Sequence, residues 1–415
     1  MNPFQYRDSL LFAEDVNLQE LANAYGTPCY VYSKGAIEHN YRAFASALQE
    51  WPTCICYAVK ANSNLAVLSL LAKLGAGFDV VSIGELERVV RAGGDVSKVV
   101  FSGVAKRSDE IRRALVIGIH CFNIESTAEL QRLDAITREM DIQANVSLRV
   151  NPDVNPTTHP YISTGLKENK FGVDIELALD IYQRIEQCSH LNAVGVDCHI
   201  GSQLLELAPF QTCFERIFGL IDQLNAIGIV LQHVDVGGGL GIRYTQDDQV
   251  PSHADYAQVL APFMRDRKLE LLIEPGRAIV GEAGLLLTRV EHIKNTSAKN
   301  FALVDAAMND LLRPSLYSAW HEISAVQKSY GATATYDVVG PVCEAGDFLG
   351  KDRPLAIQEG SLLAIHAAGA YGFVMASNYN SRARAAEVLV EGDQAWLVRK
   401  RETLGQLFAN EIIPD

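Results

Sequence analysis

Short runs rich in β-branched and aromatic residues alternate with amphipathic stretches through the first two thirds of the chain. The runs fall at 54–59, 78–82, 99–102, 121–124, 146–150, 193–200, 233–236 and 271–274. Residues 65–74 follow the first run and 85–92 the second, and 210–227 precede the seventh. Each carries apolar positions at helical spacing. Eight strands alternating with helices predict an α/β fold, a (β/α)8 TIM-like barrel, whose usual size is about 250 residues. An open doubly wound parallel sheet fits the same count. After Gly276 the rhythm changes. Runs at 283–293, 301–305, 334–339, 361–367 and 387–398 read as strands without helical crossovers and predict a second, mainly β domain. The expected division is a barrel over 35–280 and a β domain built from 1–34 plus 281–415. The apolar run Cys29-Tyr30-Val31-Tyr32 is assigned to the second. No low-complexity linker or internal repeat intervenes.

Composition narrows the function classes. The formal charge of −14 speaks against nucleic acid or an anionic membrane as the main partner, while leaving room for a local basic pocket. The first 16 residues carry Arg7, Asp8, Glu14 and Asp15 and show no export signature, so a cytoplasmic location is expected. The longest nearly uncharged run, 362–376, is short for a membrane span and contains His366, Gly369 and Gly372. Eight scattered cysteines without a CxxC pair favour reduced thiols over a zinc site or a disulfide framework.

In such barrels chemistry sits where strands end. Lys60 stands there in Tyr57-Ala58-Val59-Lys60. A cation at that position either snorkels to water or serves a purpose, such as a covalent link to an aldehyde cofactor. His199 ends the sixth run and reads as a core histidine, a base or a flat stacking surface; Gly201 and Ser202 follow it. Gly237, Gly238 and Gly239 close the seventh run as a plain turn or as a row of amides for phosphate oxygens. Glu274, Pro275, Gly276 and Arg277 close the eighth. Glu274 is suited to a protonated ring nitrogen and Arg277 to a carboxylate or phosphate, and the two can also pair with each other. Together they are the parts that hold a phosphorylated pyridine aldehyde.

With these motifs in hand the chain resembles the fold-type III pyridoxal-phosphate enzymes, and within them the diaminopimelate decarboxylase family. The resemblance runs from Thr27 to about Tyr379. It rests on YAVKAN at 57–62, HIGSQ at 199–203, GGGLG at 237–241, EPGR at 274–277, RPSLY at 313–317, CEAGD at 343–347 and GAYGF at 369–373. The segment 160–165 leading to Lys170-Phe171-Gly172 is similar to the same branch, whereas Ala345 stands where serine is more usual. The resemblance implies pyridoxal 5'-phosphate held through Lys60 as the Schiff-base lysine, with His199 stacked on its ring. It places Gly237, Gly238, Gly239 and Glu274, Pro275, Gly276 and Arg277 around the cofactor, and Ser202 and Tyr371 near its phosphate. It implies substrate contacts from Arg277, Arg313, Tyr317, Glu344 and Tyr371, and a proton from Cys343. Cys343 and Glu344 would reach into the neighbouring subunit, so a homodimer with shared active sites is expected. The implied reaction is decarboxylation of meso-2,6-diaminopimelate to L-lysine, the last step of lysine biosynthesis.

The groups fit that chemistry. A carboxylate at Glu274 keeps a ring nitrogen protonated and favours electron withdrawal from the reacting carbon. Glu344 and Asp347 flank Cys343 and are expected to keep its thiol protonated. A racemase would favour a cation at the ring nitrogen and need a second base opposite Lys60. Decarboxylases of arginine, ornithine or carboxynorspermidine are nearer rivals, distinguished by RPSLY and a clamp for a distal carboxylate. A non-catalytic carrier of the cofactor would have no use for Cys343, Arg313 and Glu344.

Overall fold

The computed structural model describes residues 2–154 and 169–415; the motif at 160–165 lies outside them. The chain forms two compact units, one comprising Asn40–Ile242 and Gln249–Ala278, the other Met1–His39, Arg243–Asp248 and Ile279–Asp415.

The first unit is a closed parallel barrel. Its strands are β1 (Thr53–Ala58), β2 (Gly77–Val80), β3 (Val99–Phe101), β4 (Cys121–Ile124), β5 (Ala144–Asn151), β6 (Leu191–Asp197), β7 (His233–Asp235) and β8 (Glu270–Ile273). They pair in sequence order; β8 returns to β1 and β4 pairs with β5, so no edge is left. All eight runs read from the sequence are strands, and closure excludes the open doubly wound sheet.

Local chemistry fixes the crossovers. Asn64 caps the helix Leu65–Lys73 by accepting from the Ala66 amide. Ser82 caps Ile83–Ala92 by accepting from Glu85, and that helix ends at Gly93 in the left-handed region. Ser126 does the same for Thr127–Met140. Each such cap stabilises its helix by about 1 kcal/mol. The helix Ala208–Ala226 buries Phe210, Phe214, Ile217, Phe218 and Ile221 along one face, which is the spacing that reveals it in sequence.

The second unit is mainly β. The strand Cys29–Ser33, buried throughout, pairs antiparallel with Gly284–Asn295 and parallel with Ala386–Glu391. Gly284–Asn295 also pairs with Asn300–Val304 and Leu362–Ile365. Several features differ from the sequence reading, among them a three-stranded sheet of Phe4–Arg7, Leu10–Ala13 and Val16–Asn17. The run 387–398 is a hairpin, Ala386–Glu391 and Gln394–Arg399, turning at Gly392 with φ +56°. Phe348–Leu355 is a strand that the polar Lys351-Asp352-Arg353 concealed; Asp352 sits there at φ +55°, its amide bonded to Asp337. Ile323–Ala325 is a further short strand. No helix among the described residues is long and apolar enough to cross a membrane.

Candidate active site

Lys60 lies just beyond β1 in a single 3-10 turn, Val59–Ala61, so the strand itself stops at Ala58. Its Nζ donates to Asp79 Oδ2 at 2.5 Å, and Asp79, on β2, is fully buried. Lys60 is therefore tied inward by a charge-assisted bond rather than snorkelling away.

Glu274 follows β8, the strand paired with β1. It is buried, and its Oε1 has no hydrogen-bond partner. Arg277 instead turns Nε and Nη2 to Ser202 Oγ at 3.3 and 3.1 Å, which sets aside the mutual Glu274–Arg277 salt bridge that their spacing allows. Gly276 lets this turn pack closely: a Cβ there would meet Ala61 Cβ at 2.8 Å.

His199 accepts a hydrogen bond on Nδ1 from the Gly238 amide at 3.2 Å. Burial, aided by Lys60 and Arg149, holds the imidazole well below its ordinary value, so it is neutral with its proton on Nε2. The glycine triplet differs from a simple row of phosphate donors. Gly237 donates to Asp235 Oδ1 at 2.8 Å and Gly238 to His199, so two of the three amides are committed. The glycines are needed for space and angle: Gly237 and Gly239 have φ of +67° and +111°, and a Cβ on Gly238 would lie 2.3 Å from Glu274 O.

Sequence reading missed an ionic lining around these groups. Arg149 on β5 bonds Glu125 at 2.8 Å and lies 3.7 Å from Asp197 on β6. Glu125 also accepts from the Gly103 and Gly172 amides. One carboxylate oxygen from each of Asp197, Asp235 and Glu274 lies within 4.8 Å of the others, all three residues buried. Burial pushes Asp197 up to about 7 against the pull of Arg149. Burial and neighbouring carboxylates carry Asp235 and Glu274 well above the carboxylate range. The signal was present: Asp79, Asp197 and Asp235 each interrupt an apolar strand, as Lys60 follows one.

The remaining predicted residues lie in the second unit. Arg313, at the start of the short helix Arg313–Tyr317, is buried. Its Nη1 lies 2.8 Å from the Tyr244 hydroxyl and 3.0 Å from His321 Nε2, and its guanidinium sits 4.7 Å from the centre of the Tyr244 ring. His321 Nδ1 faces the His366 carbonyl at 2.8 Å, which leaves Nε2 as the acceptor for Arg313. Tyr317 is half-buried, and Tyr371 is held at φ +55°. Cys343 and Glu344 are exposed on a firmly anchored loop. The Cys343 amide donates to Asn380, Tyr379 donates to Glu344 at 3.0 Å, and Asp347 accepts from the Met308 and Val342 amides. Asp347 thus fixes the loop, a role its position beside Cys343 in sequence did not indicate.

A closed barrel with a lysine, a neutral histidine and an unpartnered glutamate at its strand ends matches the family described as "Pyridoxal-dependent decarboxylase, pyridoxal binding domain" over residues 34–281. The fold and site thereby define the class: a pyridoxal-dependent decarboxylase. The chain is 58% identical to the diaminopimelate decarboxylase of Pseudomonas aeruginosa, over 99% of each chain. Two solved structures superpose closely. Diaminopimelate decarboxylase from M. jannaschii in complex with L-lysine gives a TM-score of 0.96 at 39% identity, covering 100% of this chain and 98% of that one. The Helicobacter pylori enzyme with L-lysine gives 0.92 at 43%, covering 95% and 99%. The chain belongs to the diaminopimelate decarboxylase family.

The residues present fit pyridoxal phosphate. The unpartnered Glu274 Oε1 is an acceptor waiting for an N–H, and the surrounding acids exceed what Lys60 and Arg149 neutralise, which suits a pyridinium cation.

Proposed function

We propose that the chain binds pyridoxal phosphate through Lys60 and decarboxylates meso-2,6-diaminopimelate to L-lysine and CO2, the last step of lysine biosynthesis. The observation that carries this is Glu274: a buried carboxyl with a vacant acceptor, at the end of the strand paired with the one that leads to Lys60. When bound, the cofactor supplies the electron sink for the pair released as the carboxyl bond breaks.

The chain's own residues hold and steer. Asp79 orients Lys60 Nζ. His199 offers a flat neutral face, its ring fixed by Gly238 and partly accessible. Glu274 accepts the ring N–H and so keeps that proton in place. Gly237, Gly238, Pro275 and Gly276 allow close backbone approach, while Gly239, Ser202, Arg277 and Tyr371 serve the phosphate. Arg313, fixed by Tyr244 and His321, takes the distal carboxylate of the substrate, and Arg277, Tyr317, Tyr371 and Glu344 complete its recognition. Cys343 Sγ donates a proton to the carbon that loses CO2; its exposure on an anchored loop supports this role.

The working unit in this reading is a homodimer in the cytoplasm, in which Cys343 and Glu344 of the partner subunit enter a site built around Lys60. The barrel over 35–280 carries the cofactor, and 1–34 with 281–415 supplies substrate and dimer contacts. The deciding experiment incubates purified holoenzyme with meso-diaminopimelate and compares arginine, ornithine and carboxynorspermidine. CO2 release matched by lysine from diaminopimelate is expected. Faster turnover of any of the other three overturns the assignment.

A further inference from the structure

The floor of the barrel, at the N-terminal ends of its strands, holds two histidines and a cysteine that the decarboxylase site does not use. His120 precedes β4, Cys121 opens it, and His233 opens β7. One donor atom from each lies within 4.8 Å of the other two. His233 is 1% exposed and His120 half-buried, and the Nε2 atoms of both are buried without a hydrogen-bond partner. Their ring centroids are 5.3 Å apart.

The room for this pair is built into the neighbouring strand. Gly195 on β6 stands directly opposite His233, and a Cβ there would come within 1.9 Å of His233 Nε2. Tyr182 holds that glycine by donating to its carbonyl at 2.7 Å. Around Cys121 pack Val100, Val194 and Leu272, the apolar filling expected of a barrel floor. Two imidazole nitrogens aimed into such surroundings without partners need a reason, because buried polar atoms are ordinarily satisfied by protein, water or an ion.

We propose that His120, Cys121 and His233 form a binding site for a borderline-soft divalent cation, zinc in the first instance, at the end of the barrel opposite the catalytic strand ends. Two imidazoles and one thiolate suit zinc or cobalt and are poor ligands for calcium or magnesium, which take oxygen. Zinc–nitrogen and zinc–sulfur bonds of about 2.0–2.3 Å require the donors to draw in by about an ångström, within reach of side-chain torsions. Each imidazole coordinates through the Nε2 lone pair and keeps its proton on Nδ1. Cys121 coordinates as thiolate, so one proton leaves Sγ as the ion binds. Water fills the fourth position from the side of half-buried His120. The ion would tie β4 to β7, strands that are not paired with each other.

The test uses purified holoenzyme freed of adventitious metal, loaded with Zn2+ and, separately, Co2+. One zinc per chain should survive gel filtration, and the cobalt form should show a thiolate-to-cobalt charge-transfer band. His120→Ala and Cys121→Ser should each lose the tight zinc, and Cys121→Ser the band, while both keep the bound-cofactor absorbance that reports a folded barrel. Decarboxylation by His120→Ala should match the wild type. Failure of the wild type to retain one equivalent overturns the site. So does zinc retained by both variants, or a band that persists in Cys121→Ser, either of which would place the metal at other thiols such as Cys54 and Cys56.

Discussion

The amide of Gly238 donates a hydrogen bond to Nδ1 of His199. That contact sets the ring's tautomer, and burial holds the imidazole neutral, so the face beside the strand ends carries no charge to repel a cationic pyridine. It also occupies an amide that a glycine triplet would otherwise offer to phosphate, so in the proposed reading more of that task falls to Gly239, Ser202 and Arg277.

Replacing Glu274 by glutamine keeps its shape but, in the proposed reading, removes the charge that would stabilise a protonated ring nitrogen. The variant should retain cofactor and decarboxylate slower by about two orders of magnitude or more. Near-normal turnover in a cofactor-replete variant would show that Glu274 does something else.

Asp197 is pushed up to about 7 by burial, above its ordinary 3.8. The cofactor-free folded chain therefore binds more protons than the unfolded chain between those values. Its contribution to stability is fully present below 3.8 and is lost as pH rises through about 7. Denaturant titrations of the cofactor-free protein across that window should show stability falling with pH, and Asp197→Asn should flatten the slope. An unchanged slope in the variant would mean that the lost proton belongs to another carboxyl.

Arg313→Ala should raise the KM for meso-diaminopimelate strongly and leave cofactor absorbance intact. Arg313→Lys should recover only part of the loss, because an ammonium cannot reproduce the planar fork between Tyr244 and His321. L-Lysine, lacking the distal carboxylate, should be a poor substrate for the wild type. Equal kcat/KM on lysine and diaminopimelate would remove the clamp from the argument.

A shared site has a stoichiometric signature. Lys60→Ala and Cys343→Ala should each be inactive alone. After subunit exchange, random assembly makes half the dimers mixed, with one intact site each, so activity should return to roughly a quarter of wild type. No recovery despite exchange verified by differential tagging would mean that each protomer completes its own site. Full activity in Cys343→Ala would mean that the proton comes from elsewhere.

The sequence by itself determined the eight barrel strands, because β-branched runs punctuated by helical spacing need no tertiary partner to be legible. It marked Lys60, His199, the glycine triplet and Glu274, because a polar residue ending an apolar run has a cost that composition exposes. The hairpin at Gly392 and the strand Phe348–Leu355 escaped notice because a turn within one apolar run, and charges within a strand, both mask the alternation. Only the closed barrel decided which acids meet. Pairing of β4 with β5 and of β8 with β1 brings Asp79, Glu125, Arg149, Asp197, Asp235 and Glu274, far apart in the chain, into one buried lining. The raised pKa values of Asp197, Asp235 and Glu274, the commitment of the Gly237 and Gly238 amides and the vacant acceptor of Glu274 depend on burial and distance, which exist only once the strands have closed.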